Sequence, residues 1–332
     1  MSYAIFLLVG LALGAIVERI AHPAPYPDGT PRRRKKGKVI GWTAAVFVLL
    51  LAVLGVGGWL WANSVFNKIE RVDVGTTLRH GGGSGTNYLL VGTDNRPGVS
   101  GNRTDSMIVL RLQGGTAKMM SIPRDLWVTR ADNGQKGKLN GAYNGGPQAL
   151  IKTITTELGI PIDRYMEINY VQFAGLVDSI GGITINFLHP AIDRGSGLVV
   201  PNAGAVTLNG AQALAFVRSR HYIDIIDGKE VPDNKNDFGR QARQQTFLRT
   251  VLAKLAGSKN PLKLMHAATE VSHGLKIDNQ MRLTDAIRLG WGMAGKTPQT
   301  IQLPTQDAGI SSTAALALSQ PGAQQAIALF QN

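Results

Sequence analysis

Residues 87–113, NYLLVGTDNRPGVSGNRTDSMIVLRLQ, decide the fold. Two apolar runs, Tyr88–Val91 and Met107–Leu110, have the length and composition of strands buried on both faces. The first empties into Gly92-Thr93-Asp94-Asn95-Arg96. The second is entered through Arg103-Thr104-Asp105. Burying a charge is costly. Two Asp and two Arg at the mouths of two core strands therefore need a reason.

Further strands are expected on either side. Ser106–Leu112 and Ala117–Ser121 form a hairpin through Gly114-Gly115. Tyr165–Tyr170, Ile183–Phe187, Ala215–Arg218 and Thr300–Leu303 also read as strands. Helices are expected at Ala142–Leu158, Val171–Ile180, Thr207–Ala213 and from Asp237 to Ala256. Three more follow, at Leu262–Val271, Leu283–Met293 and Gly322–Leu329. Strands alternating with helices give an α/β class, with helices packed on a central sheet.

The 332-residue chain has no Cys, which removes disulfides and thiolate sites together. Its six His lack metal-site spacing, so any metal is expected on carboxylates, suiting Mg²⁺ or Mn²⁺. The formal charge is +13. Residues 1–61 hold seven Lys and Arg against two acids, and the rest of the chain is mildly basic. That balance favours anionic partners.

Val39–Ala62 is 24 residues without a charge, enough to span a bilayer of roughly 30 Å. Trp42 stands near one end, Trp59 and Trp61 near the other, as interfacial aromatics do. PRRRKKGK precedes it, which by the positive-inside tendency makes residues 1–38 cytoplasmic and the C-terminal body extracytoplasmic. Tyr3–Val17 is apolar but short. It fits a first span, a surface-lying segment or a plain extension, and not a cleaved signal peptide. Residues 63–85 read as a juxtamembrane stretch and Gly-rich linker. The HGGG within it suits an oxyanion loop, but no G-x-S-x-G follows. The globular domain is expected over 86–332.

More charge gathers at predicted element ends. Arg124-Asp125 follows the strand Ala117–Ser121. Arg218 and Arg220, two apart, are expected on one face of a strand. The helix from Asp237 has an apolar stripe of Leu248, Val251 and Leu255. Stepped backward, the stripe becomes Gln244 and Arg240, with Arg243 beside them. A core-facing stripe that turns polar and basic in its first two turns points a helix N-terminus into an anion site. Clustered Arg suits phosphate, and two carboxylates among them suit Mg²⁺ on a diphosphate. No Walker or G-x-G-x-x-G loop is present, so a nucleotide is not the natural ligand.

These clusters, in this order, resemble the LytR-CpsA-Psr family of cell-envelope phosphotransferases. The matching pieces are LLVGTDNR…GNRTDSMIVLRL, KMMSIPRDLWV, KLNGAYNGG, YMEINYVQFAGLVDSIGGITIN, LNGAQALAFVRSRH and DFGRQARQQTFL, within residues 86–256. The resemblance implies a mixed sheet flanked by helices, with an apolar channel for lipid. It implies transfer of a glycopolymer, with one phosphate, from a polyprenyl-diphosphate carrier to the C6 hydroxyl of N-acetylmuramic acid in peptidoglycan. Asp94 and Asp105 would be the metal carboxylates. Arg96, Arg103, Arg124, Arg218, Arg220, Arg240, Arg243 and Gln244 would meet the diphosphate. Asp105, Arg124, Arg218 and Arg220 would be catalytic, with Asp105 the first candidate for base and His221 the second. Asp125 would hold Arg124. Tyr222–Asn236 is a long charged insert, expected as a loop over the site.

Three other readings compete: a non-catalytic binder of anionic polymer, a lipid diphosphatase, and a nucleic-acid-binding regulator. The paired Asp argue against a pure anion binder. The expected topology argues against nucleic acid.

Overall fold

The computed structural model describes residues 36–79, 83–93, 104–234, 236–257, 261–293, 296, 298–310 and 313–331. The chain divides into two compact units, Met1–Ser64 and Val65–Asn332.

In the first unit lies most of helix α1 (Lys36–Phe66). By length and composition, Phe47–Phe66 is a candidate membrane span. Its side chains explain why: Phe47, Val48, Leu51, Leu54, Val56, Trp59 and Leu60 are all exposed. A helix with apolar residues turned outward all round is suited to lipid as solvent.

The second unit holds the strands β1 (Glu70–Val72), β2 (Gly85–Thr93), β3 (Thr104–Gln113), β4 (Thr116–Ile122), β5 (Trp127–Thr129), β6 (Lys136–Lys138), β7 (Arg164–Asn169), β8 (Ile183–Phe187) and β9 (Ala191–Asp193). They continue with β10 (Leu198–Val200), β11 (Gly204–Leu208), β12 (Ile223–Ile226), β13 (Lys229–Pro232), β14 (Leu275–Asp278), β15 (Gln299–Ile301), β16 (Thr305–Asp307) and β17 (Leu316–Leu318). Its helices are α2 (Gly146–Leu158), α3 (Tyr170–Ser179), α4 (Gly210–Arg218), α5 (Asn236–Gly257), α6 (Pro261–Gly274), α7 (Leu283–Met293) and α8 (Gly322–Ala328). A 3₁₀ segment, Leu139–Gly145, leads into α2.

Seven strands form the central sheet, in the order β1-β14-β7-β2-β3-β4-β15. The sheet is mixed: β2 runs parallel to β7 and antiparallel to β3, and β3 is antiparallel to β4. Alternate residues of β2 and β3 feed two cores. Leu89, Val91, Met107 and Val109 pack under α2 and α8, with Ile151, Ile154 and Ile327. Tyr88, Leu90, Ile108 and Leu110 pack on the other face with Leu248 of α5 and Leu283 of α7. Each fully buried Leu or Val is worth about 2 kcal/mol. A third core joins α3 and α4 to β8, Phe247 and Val251. The expected α/β class with a mixed sheet flanked by helices is therefore the observed one.

Several element expectations are corrected. Ala215–Arg218 is not a strand but the end of α4, so Arg218 and Arg220 do not share a strand face. The short helix expected at Thr207–Ala213 starts only at Gly210; Gly204–Leu208 pairs with β8 as a strand. The cause is a capping box: the Asn209 side chain accepts from Gln212 N–H, and the Gln212 side chain accepts from Asn209 N–H. The insert expected as a loop is a hairpin, β12–β13, which pairs with β9. The sheet also begins inside the expected linker: β1 pairs with β14, and Arg79 holds Asp163 at 2.7 Å.

Candidate active site

The C-terminal end of β2, the N-terminal end of β3 and the C-terminal end of β4 lie at one end of the sheet. There Thr93 pairs with Thr104 across a register shift. Both residues are fully buried, and neither hydroxyl has a hydrogen-bond partner among the described residues. Such a hydroxyl costs about 1–3 kcal/mol when nothing meets it. In the chain each Thr is followed by an Asp, Asp94 and Asp105. Asp105 is the second residue of β3. Asp94, Arg96 and Arg103 lie outside the described residues.

Helix α5 crosses this end. Its first turns are buried although polar: Arg240 is 2% exposed, Gln244 4% and Arg243 8%. One turn on, Phe247 and Leu248 continue the same face into apolar contact. A narrow apolar cavity of about 30 Å³ runs between helix and sheet, lined by Leu90, Gly92, Ile108, Ile168, Gln244 and Leu248 among others. Gln244 donates weakly to the Val217 carbonyl at 3.4 Å, and its own carbonyl oxygen has no partner among the described residues.

Arg218 and Arg220 flank Ser219, the residue that closes α4. The turn is held from two sides. Arg243 donates to the Ser219 carbonyl at 2.9 Å and to Asp233 at 3.1 Å, and its guanidinium lies 4.7 Å from the Tyr222 ring centre. Asp193 of β9 does more. One of its carboxylate oxygens accepts from the Ser219 hydroxyl at 2.6 Å and from the N–H groups of Arg220 and His221 at 2.9 Å. The other accepts from Gly195 and Ser196 N–H. Burial pushes the Asp193 carboxyl up, but these hydrogen bonds outweigh it and hold the group below its ordinary value. The sequence singled out neither Asp193 nor the threonine pair. AIDRGSG carries a local turn signal at Asp193, and nothing in it points to Ser219 26 residues away.

Arg124 enters beyond β4. Asp125 stands 3.4 Å from its Nε and 2.8 Å from Lys138 Nζ, so one acid lies between two cations. The 3₁₀ segment is fastened beside them: Asn140 N–H donates to the Arg124 carbonyl at 3.0 Å. Beneath it, Tyr143 and Tyr165 both donate to buried Glu167, at 2.5 and 3.1 Å. Burial drives both phenols upward in pKa, followed by the Glu167 carboxylate for Tyr143 and by Tyr143 and then Glu167 for Tyr165.

The structure thus gathers Arg218, Arg220, Arg243 and Gln244 around one turn, with Arg240 on the same helix, and puts Arg124 at the same end of the sheet. Among the described residues no group of three His, Asp or Glu is arranged to hold a metal. The donor chemistry of Asp94 and Asp105 suits a hard cation, and the hydroxyls of Thr93 and Thr104, without a partner among the described residues, are oxygens of the same kind.

This fold has counterparts. The LytR_cpsA_psr family matches residues 65–329, and the chain belongs to that family. It is 32% identical over 261 residues to the polyisoprenyl-teichoic acid–peptidoglycan teichoic acid transferase TagU of Bacillus subtilis (strain 168), covering 74% of this chain and 79% of TagU. Among solved structures it is similar to a LytR-Csp2A-Psr enzyme from Actinomyces oris, with TM-score 0.67, 27% identity and coverage of 79% of this chain and 96% of that one. It is also similar to TagT bound to LI-WTA, with TM-score 0.60, 25% identity and coverage of 80% and 97%.

Proposed function

We propose that this protein is a membrane-anchored transferase with its second unit outside the cytoplasm. It moves a glycopolymer, together with one phosphate, from a polyprenyl-diphosphate carrier to the C6 hydroxyl of N-acetylmuramic acid in peptidoglycan. One observation carries this reading. The face of α5 that is buried and polar at Arg240 and Gln244, with the charge on Arg240, becomes apolar at Phe247 and Leu248, beside a cavity. A diphosphate on an isoprenoid has the same two-part character. The cavity is about the size of one water, so a prenyl chain enters by displacing Phe247 and Leu248 from the sheet.

The chemistry follows from the residues. Arg218, Arg220 and Arg240 bind the diphosphate through charge-assisted hydrogen bonds and stabilise charge that grows on the leaving phosphate. The positive end of α5 adds to this. Arg124 orients the phosphate from the β4 side. Arg243 keeps the turn in place through its bonds to Ser219 and Asp233. The acceptor oxygen bonds to the phosphorus nearer the glycan, and the bond from that phosphorus to the bridging oxygen breaks. Polyprenyl monophosphate leaves, and the acceptor proton passes to Asp105. Mg²⁺ or Mn²⁺, when held by Asp94 and Asp105, supplies charge neutralisation on the diphosphate.

The test is reconstitution of the full chain with Mg²⁺, a polyprenyl-diphosphate glycan and peptidoglycan. The expected products are polymer-bearing peptidoglycan and polyprenyl monophosphate. Arg218→Ala is expected to lower transfer at least about 100-fold while thermal unfolding stays cooperative. Polyprenyl monophosphate without polymer-bearing peptidoglycan would make it a diphosphatase instead.

A further inference from the structure

A second cavity lies at the same end of the sheet and is of opposite character. It has a volume of about 430 Å³ and is lined by Arg124, Asp125, Lys138, Asn140, Asn144 and Thr313. The apolar cavity belongs to the face that α5 covers. The 3₁₀ segment that carries Asn140 and Asn144 packs on the other face, through Leu139, Ala142 and Tyr143. The two cavities thus approach the Thr93–Thr104 end from opposite faces.

We infer that this polar cleft is the seat of the acceptor glycan. The inference rests on the transfer reading above and adds a site to it. Its wall is built to receive a ligand. Among the described residues, the side-chain amides of Asn140 and Asn144 make no hydrogen bond and stand in the cleft wall four residues apart. Their backbone is fixed: Asn140 N–H is bonded to Arg124, and Tyr143 between them is bonded to Glu167. Amides on a rigid support match sugar hydroxyl and acetamido groups, since each offers both donors and an acceptor. Among the described lining residues, the Asp125 carboxylate between Arg124 and Lys138 leaves a single net positive charge, too little to favour a polyanion. Arg124 is shared with the transfer site, so a sugar seated here has its hydroxyl beside the phosphate.

The experiment uses full-length protein in detergent, and the probe is a soluble tetrasaccharide of alternating N-acetylglucosamine and N-acetylmuramic acid. Binding is measured by titration without donor. The double variant Asn140→Ala/Asn144→Ala is expected to raise the dissociation constant about tenfold, the loss of two neutral hydrogen bonds. Thr313→Trp narrows the cleft from another wall without touching the amides, and the same direction is expected. No binding by the unaltered chain, or equal binding by all three proteins, overturns the inference. So does a change confined to the donor's half-saturation in the transfer assay, which would make the cleft a donor-glycan site. Tetrasaccharide binding that needs the amides, in a protein that transfers nothing, would sink the transfer reading and leave the sugar site standing.

Discussion

Asp193 is a buried carboxylate that accepts five hydrogen bonds, three of them from the turn carrying Arg220. Replacing it with Asn turns one acceptor into a donor facing donors. Asp193→Asn is expected to cost about 3 kcal/mol in urea unfolding, and transfer falls with it because Arg218 and Arg220 lose their fixed spacing. The pH dependence has a definite sign. The folded carboxyl sits below its ordinary value, so its contribution is complete above about pH 4 and is lost as pH falls through the folded value. Wild-type stability should therefore drop on acidification below about pH 4, and the Asn variant should show a shallower drop. Gln244 gives the opposite pattern. It is buried, with a carbonyl oxygen that meets no partner among the described residues, so it contributes little to the fold. Gln244→Leu is expected to leave the thermal midpoint unchanged or raised and to cut transfer at least about tenfold. A fall in the midpoint with transfer intact would make Gln244 a structural residue.

The strands β2, β3, β4, β7 and β8 were legible because each is a short apolar or alternating run between turn residues. The buried basic start of α5 was legible from its stripe. The elements misread are those where local pattern and capping chemistry disagree. ALAFV in α4 reads as a strand by composition, but N-x-x-Q at 209–212 commits the chain to helix. The β12–β13 hairpin carries Asp227-Gly228, both with positive φ, which is the turn signal its surrounding charges obscured. The ends of α4 also fix how it meets α3. A Cβ at Gly210 would come within 2.2 Å of the Ala174 carbonyl, in backbone that cannot move aside. Gly210→Ala is therefore expected to cost at least about 3 kcal/mol, against about 1 kcal/mol for the cap variant Asn209→Ala. Equilibrium denaturation of both variants checks the ranking, and equal costs would mean the helix contact is loose.

At the scale of the molecule, the sequence located the apolar span but placed the edge of the globular unit too late. The boundary was hidden because the stretch after the span is polar and short in apolar residues, while its partners lie about 200 residues away. Phe66 is 6% exposed in the core beside Leu90 and Leu110. Arg71 lies 4.6 Å over its ring and donates to the Met281 carbonyl at 2.7 Å. Strand β1 closes the sheet edge on β14. A chain beginning at Val65 keeps all of this and loses the exposed apolar helix. It is expected to be soluble and to unfold cooperatively, whereas the full chain sediments with membranes. A chain beginning at Asp73 loses one buried Phe and an edge strand, worth about 4 kcal/mol or more. For a unit of this size that lowers the thermal midpoint by about 10 °C. Equal midpoints for the two truncations would return residues 65–72 to the role of a linker.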